Sequence, residues 1–162
     1  MGILDDDMKD DRAQLIEMLT RAYWMEIETV MSYIANSINP DGVRAQEIIE
    51  SLDQDVQEEL GHAREFGARI KELYGVVPGS LDFNAEQSYL QPPDEQTDIV
   101  HVIKGVIEAE TGAIEHYNQI IEFCEGRDPV TQDMVIAILR DEEGHRRLFE
   151  GFLREYKAEG LA

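Results

Sequence analysis

The chain carries the same polar pattern twice, and few folds can accommodate that. One segment reads Glu59-Leu-Gly-His62-Ala-Arg64-Glu-Phe66 and another Glu142-Glu-Gly-His145-Arg-Arg147-Leu-Phe149, so both are Glu-x-Gly-His-x-Arg-x-Phe. Each is preceded, by 33 and 32 residues, by a glutamate with a tyrosine seven positions later: Glu26 with Tyr33, and Glu110 with Tyr117. The internal repeat is about 84 residues long. On a helix, positions seven apart share a face, as do positions three apart. Two helical hairpins with matching polar positions predict a bundle with internal two-fold pseudosymmetry.

The apolar pattern agrees with that expectation. Leu15, Ile16, Leu19, Tyr23, Ile27, Val30, Tyr33 and Ile34 recur at helical spacing, and Asn39-Pro40-Asp41-Gly42 closes the run. A second run passes through Ile48, Leu52, Val56, Leu60, Phe66, Ile70 and Leu73. Pro92-Pro93 precedes a third, and Pro129 opens a fourth, a residue suited to a first helical turn. The spacing predicts four helices over about 7–38, 43–74, 94–125 and 129–157, within one domain spanning 1–162. Short turns join the first to the second and the third to the fourth. Some twenty residues from Gly75 to Pro93 separate the pairs. A link of that length can climb the whole bundle and set the third helix parallel to the second, giving an all-α four-helix bundle with one long crossover.

Chemistry enters with the repeated polar residues. Glu59 and His62 lie side by side on one helix, as do Glu142 and His145 on another. Val56, Phe66 and Ile70 flank the first pair and turn it toward the core. Four glutamates and two imidazoles gathered in an interior are very unfavourable without partners. Two divalent cations balance four carboxylates and supply those partners. Oxygen-rich ligation with one imidazole per metal suits iron, and manganese equally. One Glu-x-x-His on an acidic helix reads as a surface ion-pair position; two in register with a second repeated motif do not.

Composition permits this without arguing for it. A formal charge of -21 repels phosphate backbones and anionic lipid, so nucleic acid and membranes are not expected partners. A lone cysteine, Cys124, excludes an intramolecular disulfide framework and a Cys-x-x-Cys knuckle. Met1-Gly2-Ile3-Leu4-Asp5-Asp6-Asp7 lacks the basic and apolar regions of a secretory signal, and a cytoplasmic location is expected.

With these residues in view, the chain resembles the ferritin-like di-iron carboxylate superfamily, nearest in ligand order to bacterioferritins and mini-ferritins. The resemblance spans about Asp7 to Tyr156. It implies a ferroxidase oxidising Fe(II) with O2 or H2O2 at two iron ions per subunit, within a homo-oligomer, with storage in a small cage. Glu26 and Glu110 would be terminal ligands, Glu59 and Glu142 bridges, and His62 and His145 would each cap one metal. Tyr33 and Tyr117 look like the tyrosines that hydrogen-bond ligand carboxylates. Leu60 stands where haem-binding bacterioferritins carry methionine, so no haem is expected. The chain stops soon after the fourth helix, so a fifth helix and a large cage are not expected. No rubredoxin-like cysteine pairs are present. A rubrerythrin-like oxidase or peroxidase without storage, and a metal-stabilised structural or carrier module, remain open alternatives.

Other residues carry weaker expectations. Glu58 and Asp141 lie four positions before the two histidines and compete as ligands. Glu28 and Glu108 lie about 200° round their helices from Glu26 and Glu110 and should face outward. His101 and His116 should be ordinary surface or interface residues. Trp24 should pack or serve an interface, and Cys124 should pack. Gly61 and Gly144, costly within helices, suggest close helix approach beside the histidines.

Overall fold

The computed structural model describes residues 2–162. Four long helices dominate: α1 Lys9–Ile38, α2 Gln46–Glu72, α3 Ile99–Cys124 and α4 Pro129–Ala158. Short 3₁₀ turns occupy Asp6–Met8, Ser80–Asp82 and Ser88–Leu90. There are no strands among the described residues, and the architecture is the four-helix bundle with one long crossover.

Helix ends follow local chemistry. The Asp128 carboxylate accepts from the backbone N–H groups of Val130 and Thr131, and Pro129 stands in the first turn, where its missing N–H costs nothing. Arg69 donates twice to the same carboxylate, at 3.1 and 3.0 Å, and to Thr131 Oγ1 at 2.8 Å, fastening the end of α2 to the start of α4. α3 begins at Ile99, five residues later than the spacing predicts. Asp98 caps it by accepting from the N–H of His101, and the residues before it form turns held by Asp41 N–H donating to the Gln96 carbonyl. α2 likewise begins at Gln46, because Gly42 at φ +104° and the residues after it form a turn first.

Cross-chain contacts fix the topology. Trp24 meets Phe83, Glu28 meets Glu86 and Gln87, Asn36 donates to the Leu90 carbonyl, and Asp41 reaches Gln96. The crossover therefore climbs alongside α1 in the same direction and delivers α3 at the far end. α3 then runs antiparallel to α1, since Tyr33 pairs with Glu110 and Tyr117 with Glu26. Helices α2 and α3 are consequently parallel.

Two apolar cores result, one toward each end. Leu15, Leu19, Phe66, Ile70, Tyr117, Ile120, Val135 and Ile138 form the first. Tyr33, Ile48, Leu52, Val102, Ile103, Val106 and Phe149 form the second. The repeated pairs split between them: Phe66 and Tyr117 in one, Phe149 and Tyr33 in the other. The polar residues of the repeat fill the waist.

Three sequence expectations are corrected here. Ile34 and Leu60 are exposed rather than in the core, at 44% and 40%. The inward stripe of α1 runs instead through Leu15, Leu19, Ala22, Glu26, Thr29 and Tyr33, so polar residues occupy core positions. Gly61 and Gly144 mark no close approach, because a Cβ at either would meet nothing within 4 Å. The close approach is at Gly105, where a Cβ would fall 2.6 Å from the Tyr89 carbonyl oxygen. Gly61→Ala and Gly144→Ala should each stabilise the protein by about 1 kcal/mol, the ordinary helix-propensity gain. Gly105→Ala should destabilise it by about 1–3 kcal/mol through overpacking. Urea midpoints of the three variants check both signs.

Candidate metal centre

α1 and α3 each supply one buried glutamate to the waist, Glu26 and Glu110; α2 supplies Glu59 and His62, and α4 supplies Glu142 and His145. All six residues come together. One ligand atom from each of Glu26, Glu59, His62 and Glu142 lies within 4.8 Å of the others, and the same holds for Glu59, Glu110, Glu142 and His145. The two groups share Glu59 and Glu142.

The pseudosymmetry is visible atom by atom. His62 Nδ1 lies 2.8 Å from Glu142 Oε1, and His145 Nδ1 lies 3.1 Å from Glu59 Oε1. Behind the rings, His62 Nε2 is 3.0 Å from Asp141 and His145 Nε2 is 2.6 Å from Glu58. Asp141 and Glu58 thus stand behind the imidazoles, each held by the helix opposite. With Nε2 bonded to such a carboxylate, Nδ1 is the nitrogen left to meet a cation, which must displace any proton that it carries.

Tyr33 donates to Glu110 Oε1 at 2.7 Å, and Tyr117 donates to Glu26 Oε1. Both hydroxyls are fully buried, and each clamps a carboxylate from the helix opposite. Tyr33→Phe or Tyr117→Phe should weaken metal retention about tenfold, the lower end for residues that orient a ligand. Competition against a chelator measures it, and unchanged retention in both variants would reduce the tyrosines to packing.

Electrostatics explain why this waist cannot be a simple core. Burial, with the neighbouring Glu59 carboxylate, pushes Glu26 well above the usual carboxylate range. Burial raises Glu59 as well, and burial together with Glu26 and Glu110 drives Glu142 well above. Glu110 moves the other way: burial opposes it, but hydrogen bonding with Glu142 and His145 holds it below the usual value. Burial alone would lower His145, yet Glu110 and Glu59 outweigh it and push the imidazole up to about 12. Even so, Glu59 Oε1, Glu110 Oε2, Glu142 Oε1 and His145 Nδ1 are buried with no well-formed hydrogen bond. Native interiors rarely leave such atoms unpaired. Orphaned carboxylate oxygens facing an imidazole nitrogen are the donor set of a hard or borderline divalent cation.

Several residues sit elsewhere than the sequence suggests. Glu28 is buried and accepts from the backbone N–H groups of Glu86 and Gln87 at 2.7 and 2.6 Å. It does point away from the bundle axis, but the crossover roofs that face. His116 is buried too, with Nε2 2.8 Å from the Met18 carbonyl, and burial lowers its pKa. His101 and Glu108 are exposed, and the repeated Arg64 and Arg147 face solvent. Trp24 packs on Tyr23 and Phe83. Cys124 is fully buried, and its thiol is pushed up to about 12, chiefly by burial.

Asp55 is a further residue of the site that no sequence motif marks. It is buried, raised to about 7 chiefly by burial, and its Oδ1 lies 3.4 Å from His145 Nε2. Its spacing, four residues before Glu59, places it on the site face; its counterpart in the repeat is Ile138, so no repeated motif marks it.

Comparison with known proteins agrees with this fold. A family model described as a ferritin-like domain matches residues 16–158. The DNA protection during starvation protein of Pyrococcus furiosus is 31% identical over 148 residues, covering 88% of this chain and 78% of that protein. The Desulfovibrio desulfuricans bacterioferritin, described with a di-iron site in different catalytic states, superposes with a TM-score of 0.78 at 23% identity, over 92% of this chain and 83% of that one. A dodecameric thioferritin of Bacteroides fragilis superposes with a TM-score of 0.80 at 24% identity, over 92% and 89% of the two chains.

Proposed function

The chain belongs to the ferritin-like domain family, and from that premise we propose that it oxidises Fe(II) at an intrasubunit dinuclear centre and retains the ferric product in a closed homo-oligomeric shell. The observation that carries this reading is the waist itself: four buried carboxylates and two imidazoles, with orphaned ligand atoms aimed at one another between two apolar cores.

In this reading Glu26 and His62 serve one metal position, Glu110 and His145 the other, and Glu59 and Glu142 serve both. The shared membership of Glu59 and Glu142 in both ligand groups supports the last assignment. The substrate is ferrous iron, two ions per chain, each giving up one electron. The pair of electrons reduces dioxygen to hydrogen peroxide, or hydrogen peroxide to water. Manganese suits the same donors.

The chain's own residues bind, orient and manage protons. Metal-free, His145 holds its proton up to about 12, and Glu26 and Glu142 hold theirs to higher pH than ordinary carboxylates, so cation entry competes with protons at the waist. Asp141 and Glu58 hold the imidazoles in place, and Tyr33 and Tyr117 hold the terminal carboxylates. Phe66, Phe149 and the rest of both cores exclude water from either side.

Assembly of copies is supported by the apolar side chains that α1 and α2 leave in solvent, Met31, Ile34, Ile38 and Leu60. The test is to add increasing Fe(II) in air to the metal-free protein and count iron per chain after gel filtration. Storage predicts retention far beyond two irons per chain in a large particle. Retention stopping near two in a small oligomer would replace storage with an oxidase or peroxidase that uses an external reductant.

A further inference from the structure

A cavity of about 450 Å³ opens on the outer side of α1, walled by α1, the crossover and α3. Its exposed lining carries Glu17, Asp82, Glu86 and Glu115 against one cation, Arg21. Behind its inner end lies a void of about 10 Å³, room for roughly one water, bordered by Glu26, Glu59, Glu110 and Glu142. Met25 borders both spaces. Gln87 lines the outer cavity and Thr29 lines the inner void, and the two side chains are in direct contact.

That pair is latched. Gln87 Nε2 donates to Thr29 Oγ1 at 3.0 Å, and the Thr29 hydroxyl lies 3.3 Å from Gln87 Oε1. The backbone is pinned independently, because Glu28 Oε2 accepts from Gln87 N–H at 2.6 Å. Breaking the side-chain latch would leave that backbone bond in place. Glu59, Glu110 and Glu142, which line the inner void, each have a buried oxygen without a well-formed hydrogen bond.

We propose that the outer cavity is the vestibule through which a divalent cation reaches the dinuclear centre, and that Gln87, latched on Thr29, is its door. The inference rests on the dinuclear reading. The acidic rim concentrates cations, and the Gln87 amide oxygen offers the passing ion a neutral ligand before the glutamates take it. A latch worth one ordinary net hydrogen bond sets the opening equilibrium by about fivefold.

The test uses Co(II) on the metal-free full chain, following two signals by stopped flow. These are the visible absorption of bound cobalt and the fluorescence of Trp24, the single tryptophan, which lines the vestibule. Gln87→Ala, which removes the door, and Thr29→Val, which removes the latch from the helix side, should each fill about fivefold faster with the same final cobalt count. Glu115→Lys, on the rim, should fill about threefold more slowly at low salt, while Glu143→Lys, exposed on α4, should match the parent. Parent-like filling in both Gln87→Ala and Thr29→Val would overturn the door, as would slowing by Glu143→Lys without slowing by Glu115→Lys. A parent chain that takes up no cobalt would instead overturn the dinuclear reading, and the door with it.

Discussion

Glu59→Gln and Glu142→Gln are each expected to slow Fe(II) oxidation by more than about a hundredfold while raising the melting temperature of the metal-free protein. The two effects have one cause. Removing a residue that merely orients a ligand costs about 10–100-fold in affinity or activity, so losing a charge shared by both metal positions should cost more. In the metal-free chain the same charge is a burden, because Glu59 and Glu142 are buried among carboxylates and both are raised above their ordinary range. A glutamine of equal size keeps the packing and removes the repulsion. In a chain of this length each kcal/mol recovered appears as about 2–4 °C. Stopped-flow oxidation and a melting curve on the same samples decide it. A rate within a few-fold of the parent in both variants would remove these residues from the centre.

The second large effect is a pH dependence that reverses with metal. Glu26, Glu59, Glu142 and Asp55 bind protons more tightly folded than unfolded, so their favourable contribution is complete below their unfolded values and is lost as pH rises through the folded ones. For Asp55 that window runs from 3.8 to about 7. His145, raised to about 12, acts in the same direction: its contribution is complete below 6.5 and fades as pH climbs. Glu110 and Asp128 are lowered, so theirs is lost only in more acidic solution; His116, lowered by burial, opposes the trend between pH 5.5 and 8.5, one group against the five that are raised. The metal-free protein should therefore melt higher at pH 5.5 than at pH 8.5. Bound cations compete with those protons, so metal should stabilise most at pH 8.5. At a thousand times the dissociation constant, one site contributes about 4.1 kcal/mol, on the order of 10 °C here. Melting curves at both pH values, with and without Co(II), test the reversal; a metal-free protein that melts higher at pH 8.5 would contradict it.

The four helices and the crossover were legible because the repeat carries its polar residues at helical spacing and the prolines mark the links. The converging glutamates and histidines were legible for the same reason, since three- and seven-residue spacings fix faces without reference to the rest of the chain. What the sequence hid depends on the path of the crossover. A helical wheel places Glu28 away from Glu26 correctly, but it does not show that residues 86 and 87 pass over that face with two backbone donors to satisfy. His116 misleads in the same way, because its burial comes from the seam with α1 near Met18. Ile34 and Leu60 read as core because they are apolar and near the period, whereas the inward stripe holds Glu26, Thr29 and Glu59. Asp55 escaped because it breaks the repeat, with Ile138 standing at the matching position.

The most direct test is an anaerobic Fe(II) titration of the metal-free protein, with proton release followed alongside. The dinuclear centre predicts a break at two ions per chain, with protons released up to that break and none beyond it. A break at one ion, or no break at all, would contradict it.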